Sequence, residues 1–106
     1  MLTVIETSLF LRCAKEVWSE DEREAFVEWI AGNPSAGSVI PGAEGLRKVR
    51  WGRAGMGKRG GSRVIYFLRN GPTEVVLIVV YTKAKFENLP THVLLQWKEA
   101  FDGQGN

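Results

Sequence analysis

The apolar segment from Glu74 to Tyr81 constrains the fold more than any other part of this sequence. It is too short to cross a bilayer. Its odd-numbered and even-numbered positions are both apolar, which predicts a strand that is covered on both faces of the sheet. Asn70-Gly71, just before it, is a strong signal for a tight hairpin turn. The segment 62–69, which lies just before this turn, has the composition of a strand and would be the first strand of the hairpin. We therefore expect a fold built around a β-hairpin whose second strand lies inside a sheet.

The segments on either side of this hairpin complete a small α+β domain. The predicted elements are a strand over 3–6, a helix over about 8–18, a second helix from the capping box of Ser19 and Glu22 to Gly32, a surface loop over 34–45, a strand over 46–51 and a third helix from Asn88 or Pro90. The order is β-α-α-β-β-β-α. A mainly antiparallel four-stranded sheet would carry the two N-terminal helices on one face and basic residues on the other, with a C-terminal helix at the end.

Residues 1–106 contain no internal repeat and no linker, so we predict a single domain. Its expected core residues are Phe26, Trp29, Val49, Val76, Ile78 and Trp97.

Composition narrows the classes of function. Hydrophobic residues make up 44% of the chain and charged residues 25%, values typical of a globular domain rather than a disordered one. The single cysteine, Cys13, and a start without a signal-peptide pattern favour a cytoplasmic protein with no membrane association. One cysteine and one histidine do not match the common zinc spacings, so we predict no metal site and no cofactor. Cys13 and His92 could form a thiol–base pair, but the apolar helical setting of Cys13 favours a packing role.

Charge is distributed unevenly along the chain. Residues 1–44 carry eight acids and three bases, whereas residues 45–106 carry eleven bases and four acids. The stretch from Gly45 to Thr73 contains no acid and eight bases: Arg47, Lys48, Arg50, Arg53, Lys58, Arg59, Arg63 and Arg69. Such a cluster produces a local field suited to a polyanion. The alternative is an ordinary solvated basic loop.

Strand periodicity selects candidates for chemistry within this basic stretch. If Val49 and Trp51 face the core, the period of two places Lys48 and Arg50 together on the opposite face. Arg63 opens the neighbouring predicted strand, and Lys83 and Lys85 follow the apolar strand at its end. Basic residues from three adjacent strands can therefore converge on one face of the sheet.

Converging lysines and arginines suit phosphodiester cleavage by a ribose 2′-OH. This reaction needs a group that takes the 2′ proton, cations that stabilise charge on the phosphorane oxygens, and a proton for the leaving 5′-oxygen. A lysine among like charges can have a lowered pKa and transfer protons, and the planar arginine fork binds two phosphate oxygens. The alternative is a set of phosphate anchors in a binding module without catalysis.

Several stretches together resemble the HigB-type branch of the RelE/ParE superfamily of toxins from type II toxin–antitoxin systems. The matching stretches are 45–51, 55–66 and 81–83, with the preceding loop 33–42. The resemblance covers nearly the whole chain and implies a RelE-like fold. It also implies a metal-independent mRNA endoribonuclease that cuts the codon in the ribosomal A site. Its partners would be the ribosome, mRNA and a cognate antitoxin, expected to be a helix-turn-helix protein encoded by an adjacent gene.

The resemblance assigns catalytic roles to Lys48, Arg50, Arg63 and Lys83, with Lys85 a near competitor of Lys83. Which lysine is the base stays open between Lys48 and Lys83. RNA-binding roles are expected for Arg47, Arg53, Lys58, Arg59 and Lys85. The chain has Phe86 and Leu89 where relatives often carry a late tyrosine or histidine.

Tyr81 is the only phenol near these positions, so it is a possible catalytic residue, although a packing role is favoured. Two alternatives for the whole chain remain. One is a ParE-like toxin that poisons gyrase without nuclease activity. The other is a non-catalytic RNA-binding module on the same fold.

Overall fold

The computed structural model describes residues 2–52, 61–71, 73–82 and 89–102. The elements are β1 (Thr3–Glu6), α1 (Ser8–Val17), α2 (Glu20–Gly32), β2 (Ser38–Val39), β3 (Arg47–Trp51), β4 (Ser62–Arg69), β5 (Glu74–Thr82) and α3 (Thr91–Phe101). The predicted α+β class and the predicted order of the main elements are confirmed.

The sheet has five strands in the order β1-β5-β4-β3-β2. β1 pairs with β5 in parallel, and the other neighbours are antiparallel. The predicted count of four strands is wrong because β2 lies in the segment that was expected to be only a surface loop. Its two residues, Ser38 and Val39, pair with Lys48 and Arg47. Two residues are too few to show a periodic pattern in the sequence.

The loop that contains β2 is anchored by a buried phenol. Tyr66 on β4 accepts a hydrogen bond from the Gly37 amide (2.9 Å) and donates one to the Pro34 carbonyl (2.7 Å). A Cβ at Gly37 would lie 2.8 Å from the Tyr66 hydroxyl oxygen, so the close approach requires glycine. This anchoring holds β2 against the edge of β3.

Hydrophobic clusters cover both faces of the sheet. We call these the α1–α2 face and the α3 face. The cluster on the α1–α2 face includes Phe10, Ala14, Phe26, Ile30, Val49, Tyr66 and Leu77. The cluster on the α3 face includes Ala43, Leu46, Ile65, Phe67, Ile78, Tyr81 and Leu94. The placement of both N-terminal helices on one face is confirmed, and α3 with the 40–46 loop covers part of the other face.

Local signals set the element boundaries much as predicted. Ser19 and Glu22 form the reciprocal capping box of α2. Asn70 and Gly71 both have positive φ, 57° and 62°, as a type I′ hairpin turn requires. Pro90 is the N-cap of α3.

A β-bulge in β5 changes which side chains reach the α3 face. Ile65 pairs with Val79, but the next residue of β4, Tyr66, pairs with Leu77, so Ile78 has no direct partner. Ile78 and Val79 consequently both contribute to the cluster on the α3 face. Beyond the bulge the parity is reversed, so Tyr81 faces α3 and Val80 faces α1 and α2.

The predicted core is confirmed for four of its six residues. Phe26, Val49, Val76 and Ile78 are buried. Trp29 and Trp97, which were also predicted to lie inside, are only half-buried. Each packs against the rim of one hydrophobic cluster. A large indole at the edge of a helix stripe often keeps one side in water.

Candidate nucleic-acid interface

Lys48 and Arg50 lie on the α3 face of β3. Their neighbours Val49 and Trp51 pack into the cluster on the α1–α2 face, and alternate side chains of a strand point to opposite faces. Both basic residues are exposed. The predicted pairing of Lys48 with Arg50 on one face is confirmed by this alternation.

The strand register brings Arg63 to the same place. Arg63 on β4 pairs directly with Arg50 on β3 and with Tyr81 on β5. Directly opposed residues have Cβ atoms roughly 4.5–5.5 Å apart, and diagonal neighbours such as Lys48 and Arg63 are roughly 7–8 Å apart. We refer to Lys48, Arg50 and Arg63 as the basic cluster. These three cations lie within reach of one phosphate and its neighbour.

The positive charge of the basic cluster is not compensated within the described residues. No ion pair involving Lys48, Arg50 or Arg63 occurs in that part of the chain, whereas Arg23 pairs with Glu6 and Glu20. Like charges directly opposite each other on a sheet are destabilising, so Arg50 beside Arg63 carries an energetic cost. An anion bound between them would remove that cost.

The acidic residues of α2 lie on the other side of the sheet. Glu20, Asp21, Glu24 and Glu28 are exposed on this helix, which packs on the α1–α2 face. The expectation that the acidic helix lies away from the basic face is confirmed. The sheet thus separates a negative surface from a positive one, an arrangement that orients the protein toward a polyanion.

Arg50, Arg63 and Tyr81 form a row across the neighbouring strands β3, β4 and β5, and Tyr81 lies at its end. Its side chain is 4% exposed and belongs to the cluster on the α3 face. Burial raises the pKa of the Tyr81 phenol, and the nearby charge of Arg63 partly opposes the shift. This shift favours the protonated phenol. This agrees with the favoured packing role.

For the endoribonuclease activity that the sequence resemblance implies, replacing Tyr81 by Phe is expected to change the cleavage rate less than about threefold, far below the 10²–10⁴-fold typical of a lost general acid or base. The ring would continue to pack beside Arg63 while only the hydroxyl is removed. Single-turnover cleavage rates for wild type and Tyr81→Phe provide the measurement. A hundredfold loss in a folded variant would instead place the hydroxyl in the reaction.

The other predicted site residues are placed differently. Arg47 has the parity of Val49, and its guanidinium donates a hydrogen bond to the Gly37 carbonyl (2.8 Å). The structure therefore does not bring Arg47 together with the basic cluster. Five further predicted residues lie outside the described residues: Arg53, Lys58, Arg59, Lys83 and Lys85.

The alternative thiol–base pair is not assembled. Cys13 is half-buried on α1 and packs against both hydrophobic clusters, whereas His92 is exposed on α3. Within residues 2–52, 61–71, 73–82 and 89–102, no three His, Cys, Asp or Glu side chains form a group that could hold a metal ion. No helix in these ranges is long and apolar enough to span a bilayer.

Sequence reasoning missed one buried residue beside the basic cluster. Ser62 opens β4 next to Arg63 and is 1% exposed. Its hydroxyl accepts a hydrogen bond from Trp18 Nε1 (3.1 Å) and donates one to the Trp51 carbonyl (3.0 Å). The only signal in the sequence was strand alternation, which places Ser62 on the same face of β4 as Val64 and Tyr66.

No protein-family model matches the chain, but solved structures are similar to it, among them two from E. coli. A mutant of the E. coli toxin RelE in the free state gives a TM-score of 0.55 over 90% of this chain and 94% of that chain, at 17% sequence identity. A chain of the intact E. coli RelBE toxin–antitoxin complex gives a TM-score of 0.56 over 77% and 96%, at 15% identity. The chain has the RelE fold.

The RelE fold accounts for the mixed sheet and the helices described above. Both superpositions cover nearly the full length of the compared chain, so the likeness extends over the sheet as a whole. The RelE-like fold expected from the sequence resemblance is confirmed.

Proposed function

We propose that this protein is the toxin of a type II toxin–antitoxin system, of the HigB-like branch, and that it cleaves mRNA in the ribosomal A site. The observation that carries the proposal is the register that places Lys48, Arg50 and Arg63 on one face without an acidic partner among the described residues. The RelE fold and the sequence resemblance support it. A cytoplasmic location and a cognate antitoxin partner, encoded beside this gene, belong to the same proposal.

The proposed reaction is an internal transfer at phosphorus. A base removes the proton of the ribose 2′-OH, the 2′-oxygen attacks the adjacent phosphorus, and the bond from phosphorus to the 5′-oxygen breaks. A proton is delivered to the departing 5′-oxygen, which leaves a 2′,3′-cyclic phosphate and a 5′-hydroxyl. No bound metal takes part in this scheme. The protein supplies the proton transfers and stabilises the negative charge that forms on the phosphorane.

The basic cluster divides these tasks by the chemistry of its side chains. Arg50 and Arg63 are adjacent forks that can bind the non-bridging oxygens of the scissile phosphate. A lysine loses its proton more readily than an arginine, which stays protonated in proteins. Proton transfer is therefore assigned to Lys48 of the basic cluster and to Lys83 outside it, one acting as the base and the other as the acid.

Binding of single-stranded RNA should weaken steeply as salt rises. Neutralising a phosphate on a single strand contributes about −0.7 to the slope of log affinity against log salt, so three cations give a slope of about −2 or steeper. Arg50→Ala should flatten the slope by about 0.7. Arg12→Ala is the matched control because Arg12 is an exposed arginine on α1 and is not part of the basic cluster.

Fluorescence anisotropy of a labelled RNA oligonucleotide across a series of KCl concentrations gives these slopes. Equal slopes for Arg50→Ala, Arg12→Ala and wild type would contradict phosphate binding at the basic cluster.

A reconstituted translation reaction tests the proposed activity. Purified protein is added to an mRNA with and without programmed ribosomes, and the products are analysed for 5′-hydroxyl and 2′,3′-cyclic phosphate ends. The proposal expects cleavage that requires ribosomes. Binding without cleavage would indicate a non-catalytic RNA-binding module, and gyrase-dependent DNA breaks without RNA cleavage would indicate a ParE-like poison.

A further inference from the structure

A buried chain of hydrogen bonds ends beside the two arginines of the basic cluster. The Trp18 indole donates to the Ser62 hydroxyl (3.1 Å), which in turn donates to the Trp51 carbonyl (3.0 Å). Trp18 is 8% exposed and Ser62 is 1% exposed, so solvent does not compete for these bonds. Buried hydrogen bonds of this kind fix the geometry of the groups they join.

The chain joins three elements at the position where the arginines emerge. Trp18 is the C-cap of α1, Trp51 is the last residue of β3, and Ser62 is the first residue of β4. Trp51 and Ser62 also form the last register pair between β3 and β4, and the pair before it is Arg50 with Arg63. The hydroxyl thus fastens the two strands one residue beyond the two arginines.

The hydrogen bonds between two strands open most easily at the strand ends. Repulsion within the basic cluster disfavours the pairing of β3 with β4 at this end. Arg50 and Arg63 repel each other across the ladder, and no ion pair among the described residues offsets that repulsion. The Trp18–Ser62–Trp51 chain acts against it by tying both strands to α1. Loss of the chain would let the two guanidinium groups move apart while the remaining ladder stays paired.

We propose that Ser62 and Trp18 are positioning residues for phosphate binding, which set the spacing of Arg50 and Arg63 so that both contact one phosphate. This inference rests on the proposed function, in which the basic cluster binds RNA phosphates. It adds two residues on the α1–α2 side of the sheet that act on the opposite face through the backbone of β3 and β4. Neither residue needs to touch the RNA.

The test measures RNA binding by the full chain against salt for Ser62→Ala and Trp18→Phe. Ser62→Ala should lower affinity for a single-stranded RNA oligonucleotide about tenfold at low salt, the loss of roughly one charge-assisted contact. It should also flatten the salt slope by about 0.7, as for one lost phosphate contact. Trp18→Phe keeps an aromatic ring and removes the N–H, so it should shift both quantities in the same direction. The double variant should be no worse than Ser62→Ala alone, because both changes break one chain.

Ile30→Val is the control for loss of stability alone. Ile30 is fully buried on α2, and removing one methylene from it should destabilise the fold about as much as losing a buried hydrogen bond. Thermal unfolding of each variant confirms that the stability losses match. Ile30→Val should retain the wild-type affinity and salt slope, because a role in stability alone does not change the number of phosphate contacts.

The outcomes separate the positioning role from the proposed function. If Ser62→Ala and Trp18→Phe match Ile30→Val in affinity and slope, while Arg63→Ala flattens the slope, the positioning role is overturned and the proposed function stands. If wild type shows no salt-dependent binding, or Arg63→Ala leaves the slope unchanged, the proposed function is overturned and the inference with it. Should Ser62→Ala fail to fold, Trp18→Phe decides the question by the same two measurements.

Discussion

Arg63→Ala is expected to reduce the rate of the proposed ribosome-dependent mRNA cleavage by about 10²–10³-fold, the usual cost of removing one preorganised donor from a developing charge. Arg63 lies in the middle of its row, between Arg50 and Tyr81. It is half-buried, whereas Lys48 and Arg50 are exposed. Its charge also has no acidic partner among the described residues.

A conservative substitution at Arg63 separates the effect of its positive charge from the effect of its two-pronged contact with phosphate. Arg63→Lys retains the positive charge but cannot bind two phosphate oxygens with one planar group, so it should recover little of the lost rate. Arg12→Ala on α1 should cleave at the wild-type rate. Single-turnover kinetics on programmed ribosomes measure all three. A folded Arg63→Ala protein that cleaves at the wild-type rate would remove Arg63 from the mechanism.

The second large effect is on stability. Phe26→Ala should lower the free energy of unfolding by about 3–5 kcal/mol, as expected for a large aromatic residue in a packed core. Phe26 is completely buried, and its ring centroid lies 5.3 Å from that of Trp18 and 5.4 Å from that of Trp51. Trp29→Ala should cost less because Trp29 is only half-buried.

Urea unfolding followed by tryptophan fluorescence measures both variants, since Trp18, Trp29 and Trp51 all surround Phe26. Equal losses for Phe26→Ala and Trp29→Ala would show that the burial difference does not control stability here. A loss below about 1 kcal/mol for Phe26→Ala would contradict its place in the core.

Much of the fold was predictable because local signals agreed with the tertiary structure. The capping box at Ser19 and the Asn70-Gly71 turn are short-range signals whose geometry depends on a few adjacent residues. The two-sided burial of β5 also followed from its composition, since six consecutive residues from Val75 to Val80 are buried. These features fixed the order of the elements.

Other features depended on contacts between distant residues. β2 exists because Tyr66 and Arg47 hold the chain around Gly37 against β3, and no pattern within residues 34–45 indicates that contact. The bulge at Ile78 similarly has no sequence signal in a run of apolar residues. It nevertheless decides that Tyr81, rather than Val80, faces the basic cluster.

The candidate site also combines features that local sequence signals predict with features that depend on contacts between distant residues. The sequence predicted that Lys48 and Arg50 share a face and that Arg63 converges with them, and the register pairs Arg63 directly with Arg50. Arg47 was grouped with the RNA-binding residues from the charge run, although its parity with Val49 already indicated the opposite face. Ser62 could not be distinguished from other strand residues, because its role comes from Trp18, which is 44 positions away in the sequence.

A map of mRNA 5′ ends after induced expression in cells, with wild type compared with Arg63→Ala, tests most directly whether the protein cleaves mRNA through its basic cluster. We expect new 5′ ends inside translated codons for wild type, and their loss for Arg63→Ala at equal protein level. New ends that appear equally with Arg63→Ala, or growth arrest by wild type without any cut in translated codons, would contradict the proposed function.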